Sequence, residues 1–326
     1  MKFLKSEAGA MVLWALFSLL GAAVLTPPIH AAGKALAAHA MLNDANGFVE
    51  WLGAACDRAN IGRYFSRALM LSALIMMPLL IRRVRKIGRQ NKAGSIMDLE
   101  KIGANKSILH VVTSFLVAGG ILWAIGMILT QAGAFAIDPD PRTSRFIGKC
   151  VAPAIIASLL EEWLFRGLML GLWLRTSGPI KATIYSSLLF AFLHFLKPPG
   201  GLADPHSSLA GFELLSKVLL HFAEPKFFIT DFLTLTIVGI ILCWARLRTN
   251  SLWFSIGLHA GWVFAYTSFN LFYNPIIHPL HPWGVGDNLR SGIIPLAALL
   301  ATAVVCHYLI GALMSDRRKR SAKGSS

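Results

Sequence analysis

Residues 157–170 read ASLLEEWLFRGLML, so Glu161, Glu162 and Arg166 stand inside an otherwise apolar run. A charge at the centre of a bilayer costs roughly 2.5–3.5 kcal/mol, and three uncompensated ones would cost about 9. On a helix, Glu162 and Arg166 are four residues apart with the acid first, the favourable order for an ion pair. Buried charges need such compensation, so this pair has a purely structural reading. Glu161 is turned about 100° away and is the carboxylate left over. A spare carboxylate in an apolar setting is a candidate general base.

Chemistry at Glu161 needs partners from other helices. Two histidines lie deep in apolar runs, His194 in FAFLHF and His259 in SIGLHAGW, whereas His110 and His307 lie nearer the ends of theirs. Counted from the inner ends of their runs, Glu161, His194 and His259 are about 20, 20 and 12 Å deep at the helical rise. Three helices therefore deliver an acid and two imidazoles to overlapping depths. Taken singly, either histidine could be a helix-to-helix hydrogen bonder. Together with the acid they form a functional candidate, because intramembrane ionisable groups are functional by default.

The elements that must position these residues are membrane spans. The chain has 326 residues, 55% hydrophobic and 14% charged, where a soluble domain carries about a quarter charged. Apolar runs long enough to cross a bilayer recur from end to end, and the short alternating segments of a β-barrel are absent. The class is all-α, a polytopic membrane protein with about eight spans: 10–27, 68–81, 108–132, 147–173, 181–196, 227–245, 251–270 and 291–313. Three regions follow. Residues 1–145 form an N-terminal membrane region with a basic inner loop at 82–106. Residues 146–270 form a catalytic core, and 271–326 an outer loop, last span and basic tail.

The net charge of +15 does not signal nucleic acid, since the basic residues cluster at 82–92 and 317–320 beside apolar runs and no nucleic-acid motif accompanies them. With the N-terminus inside, 19 of the 31 Lys and Arg residues fall on inner segments, as the positive-inside rule requires. Both termini are expected on the cytoplasmic side of a bacterial inner membrane. The first span is expected to be uncleaved, because Pro27, Pro28 and His30 make a poor signal-peptidase site. The four cysteines form no CxxC pair and read as small hydrophobes. Residues 207–222 place Leu209, Phe212, Leu215, Val218, Leu219 and Phe222 on one helical face, either on the outer membrane surface or as a lid on protein.

The run Glu161-Glu162-Trp-Leu-Phe-Arg166 resembles the EExxxR motif of the CAAX-protease and bacteriocin-processing (CPBP, or Abi) family. Phe190-Ala-Phe-Leu-His194 is similar to its FxxxH motif, and His259 in LHAGW to its third. The resemblance spans about 146–270 and departs at Val263, where the family often has Asn or Asp. It implies an intramembrane endopeptidase of the type II prenyl-protease kind. Glu161 would be the base, His194 its partner and His259 the third member, with Glu162 and Arg166 in support. Val263 cannot donate, so the oxyanion needs His259, a backbone N–H, a metal or another donor. Glu161, His194 and His259 are also a zinc-type ligand set, although HExxH is absent. No Gly-x-Ser-x-Gly elbow competes, and Ser158 reads as a helix-packing residue. The implied partners are the bilayer and a membrane protein or peptide substrate. The alternatives are a proton- or ion-coupled transporter using the Glu–His cluster, and a non-catalytic immunity or scaffold protein of the same fold.

Overall fold

The computed structural model describes residues 6–42, 47–90, 103–196, 207–276 and 283–323. They divide into two compact units, one of residues 1–94 and 192–225, the other of 95–191 and 226–326.

The first unit is built on α1 (Glu7–Leu42), α2 (Gly47–Asp57) and α3 (Ile61–Gln90). The first span was expected to stop near residue 27, yet α1 continues through Pro27 and Pro28. Pro27 has no N–H for the Ala23 carbonyl one turn back. A later helix, α7 (Ala210–His221), packs against that carbonyl, and any Cβ on Gly211 would collide with it. Neighbouring helices commonly make such breaks tolerable in membrane helices. The face of α7 that packs is Ala210, Gly211, Leu214 and Val218. Of the expected face, Leu215, Val218 and Phe222 pack on the core while Leu209, Phe212 and Leu219 are exposed. Around it, Ala22, Ile61, Phe65 and Ala68 make an apolar core. The Trp14 indole N–H donates to the Ala73 carbonyl at 3.1 Å, tying α1 to α3.

The second unit begins with α4 (Ala104–Gln131) and strand β1 (Phe135–Ile137). A π-helical turn (Ile147–Val151) then leads into α5 (Ala152–Glu162). A second π turn (Trp163–Met169) joins α5 to α6 (Leu170–His194), which kinks where Gly178 takes a φ of 73° ahead of Pro179. The expected spans 147–173 and 181–196 thus lie on one helical run, broken by this kink. After the short α8 (Pro225–Phe227) and a π turn (Phe228–Phe232) come α9 (Leu233–Thr249) and α10 (Leu252–Phe272). Asn250, in the left-handed region at φ 49°, closes α9, and the Ser251 hydroxyl caps α10 by accepting the Trp253 N–H at 3.3 Å. Two adjacent residues thus reverse the chain, as an αL cap and an N-cap should. Strand β2 (Tyr273–Pro275) pairs antiparallel with β1, and α11 (Ile293–Lys323) ends the unit.

The protein is an all-α membrane protein apart from this three-residue ribbon. Against the eight spans read from sequence, five described helices are long and apolar enough to cross a membrane: Glu7–Met41, Ile61–Arg89, Ala104–Gln131, Phe228–Thr249 and Ile293–Leu313. All four cysteines are buried and free.

Candidate active site

The close crossing of α4 and α10 sets the rotation of α10. Gly257 and Gly261 face α4; a Cβ on Gly261 would lie 2.5 Å from the Phe115 carbonyl and 3.0 Å from the Gly119 amide nitrogen. Such small-xxx-small faces let helix backbones touch. His259 lies two residues from each glycine, about 200° around the helix. With the glycines committed to α4, the imidazole is directed the other way, toward the end of α5.

There it meets Glu162. The His259 Nδ1 lies 2.9 Å from Glu162 Oε1, and the same oxygen accepts from Arg166 Nη1 at 2.9 Å. Glu162 and Arg166 are both fully buried. The four-residue spacing foresaw the Glu162–Arg166 pair but not the bond to His259, which makes Glu162 the joint of the cluster. Arg166 Nη2 donates to the Gly239 carbonyl on α9 at 3.4 Å. Its guanidinium lies over the Phe190 ring at 4.3 Å, a cation–π contact. Phe190 also meets Phe165 edge-on at 5.0 Å and the His259 ring at 6.0 Å. The Ser186 hydroxyl donates to the Phe165 carbonyl at 3.3 Å, fastening α6 to the π turn that carries Arg166. π turns recur at functional sites, where they shift side-chain register.

Glu161 occupies a different setting. Its side chain is 29% exposed, and its Oε2 is 3.8 Å from His259 Nε2. That is ion-pair distance but too long for a direct hydrogen bond. With Nδ1–H donating to Glu162, the imidazole presents its other nitrogen to Glu161. One ring therefore links a buried, paired glutamate to a partly exposed one.

Glu161, Glu162, Arg166 and His259 all belong to the second unit, and His194 is the last residue of α6, in the first. Sequence reasoning missed Phe190 as the platform under Arg166, although it is the first residue of the FxxxH motif. It also missed Gly239 as an acceptor, for which no sequence signal exists. At Val263 the expected polar side chain has no substitute one turn on, because the Thr267 hydroxyl donates to the Val263 carbonyl at 2.7 Å.

Among the described residues no three His, Cys, Asp or Glu side chains are arranged to hold a metal ion. Of the three expected ligands, Glu161 and His259 face one another within the second unit, and His194 belongs to the first. The chemistry below is derived from the chain's own side chains alone.

Residues 143–265 match the family model described as type II CAAX prenyl endopeptidase Rce1-like. The match encloses Glu161, Glu162, Arg166, His194 and His259. No curated protein and no solved structure matches the chain.

Proposed function

We propose that the protein is an intramembrane endopeptidase that hydrolyses a peptide bond of a membrane-associated protein or peptide, with Glu161 as the general base. The observation that carries this reading is the Glu162–His259–Glu161 line, in which one imidazole is held by a buried glutamate and turned toward a more exposed one. Glu161 takes the proton of the water that attacks the scissile carbonyl. The protonated Glu161 then donates toward Nε2 of His259, which keeps that proton facing the site. The proton passes to the leaving nitrogen as the C–N bond breaks, completing general acid–base hydrolysis. Glu162 and Arg166 fix the ring and touch no substrate. His194 is carried as the partner of Glu161 by its motif alone. The positive-inside pattern supports cytoplasmic termini.

The test compares membrane peptides from cells producing the wild type with those producing His259→Ala at equal abundance. Peptides cut only by the wild type are the expected result. Identical peptide sets from both would overturn the reading.

A further inference from the structure

Three buried polar atoms on one face of the α5 run lack the partners that burial demands. Ser158 Oγ, Glu162 Oε2 and Arg166 Nε have no hydrogen-bond partner among the described residues, and all three residues are fully buried. They are spaced i, i+4 and i+8, so they form a stripe up the helix. A serine in a membrane helix ordinarily returns its hydroxyl proton to the carbonyl four residues back. Ser114 does so to the His110 carbonyl at 2.6 Å, Ser187 to the Thr183 carbonyl and Thr234 to the Thr230 carbonyl, both at 2.7 Å. Ser158 makes no such bond. Its hydroxyl stands one turn from the carboxylate oxygen that Arg166 and His259 leave bare.

Side chains four apart on a helix have Cβ atoms about 5–6 Å apart, a separation that one water can bridge with two hydrogen bonds. Buried polar groups with no protein partner take ordered water when the pocket is polar, and an unsatisfied carboxylate oxygen is the costlier alternative.

We propose that Ser158 Oγ and Glu162 Oε2 hold an internal water, and that Ser158 is thereby a positioning residue for the site. The water fixes Glu162 in the rotamer in which Oε1 serves Arg166 and His259 together. Arg166 Nε, one turn further on, is a donor to the same wet stripe. Ser158 touches neither substrate nor the reacting water; it acts through Glu162 and the His259 ring. The water site stands on the geometry, whereas its catalytic consequence rests on the protease reading above.

The test is a pair of high-resolution structures in lipid nanodiscs, the full chain and Ser158→Ala, with turnover measured on both. The wild-type map is expected to show a water within hydrogen-bonding distance of both atoms. In S158A that water is lost and the Glu162 carboxylate turns. A wild-type map in which Ser158 instead bonds the Ala154 carbonyl, or in which the stripe is dry, overturns the proposal, and this map decides even if S158A does not accumulate. In turnover, S158A is expected to lose about tenfold in kcat with KM unchanged, the scale typical of groups that orient an active-site ligand, and Ser158→Thr to recover it. Unchanged kcat in S158A overturns the positioning role. A wet stripe in a protein that cleaves nothing would reject the protease reading alone.

Discussion

Each unit contains an acid–base pair, and the two pairs work under opposite conditions. In the first unit, Lys34 and Asp57 approach to 3.7 Å with side chains 36% and 50% exposed. In the second, Arg166 and Glu162 meet at 2.9 Å with nothing exposed. The exposed pair links the first two helices where surroundings already favour charge, and such pairs contribute about 0–1 kcal/mol. The buried pair needs a carbonyl from α9, an aromatic face from α6 and an imidazole from α10 to be tolerated at all. A chain that only had to fold could replace it with apolar side chains of similar volume, often at no loss of stability. What the buried pair provides is a fixed acceptor for His259, and through that ring a fixed neighbour for Glu161. The difference teaches that the buried charges are held by their partners on three other elements, and that the proposed chemistry, not folding, accounts for keeping them.

The comparison is broken most sharply by Glu162→Gln. It removes the charge facing Arg166 and is expected to cost about 3–5 kcal/mol, because the guanidinium is left buried without its counter-ion. Thermal unfolding in detergent measures it, and a stable, abundant but inactive E162Q would mean that the roles of the two glutamates should be exchanged. Next comes Gly261→Leu, which drives side-chain atoms into the α4 backbone; overpacking of this kind costs about 1–3 kcal/mol. It also turns His259 away from Glu162, so cleavage should fall further than stability does. Proportionate losses would show that the α4–α10 crossing is only structural. Lys34→Ala sharpens the contrast at the small end, with an expected loss under about 1 kcal/mol that shrinks further in high salt. A loss as large as that of E162Q would erase the distinction between the units.

The residues that could be read from sequence are those governed by local geometry. The Glu162–Arg166 pair follows from helix spacing alone, and the break near residues 174–180 follows from Gly178 and Pro179. The bond from Glu162 to His259 was not legible, since it depends on how α10 is rotated. That rotation is a tertiary property, although the glycines at 257 and 261 advertise which face of α10 is taken. The continuation of α1 through Pro27 and Pro28 was hidden for the same reason: the Ala23 carbonyl that Pro27 leaves without an N–H faces Gly211 of α7, nearly two hundred residues later. The amphipathic pattern of 207–222 announced a helix and half of its packed face, Leu215, Val218 and Phe222, but not Ala210, Gly211 and Leu214. Ala210 and Gly211 belong there because small residues allow close approach to α1, a preference that hydrophobicity does not register. Of the three apolar runs outside the five span-length helices, the one through Glu161 and Arg166 spends apolar positions on charge.

The most direct measurement is the turnover of Glu161→Gln in lipid nanodiscs at matched protein abundance, beside its thermal unfolding. Glu161 is partly exposed and neutral glutamine keeps its shape, so folding should be intact while cleavage falls by about a thousandfold, within the range for loss of a general base. Cleavage at the wild-type rate by a normally folded E161Q would contradict the account.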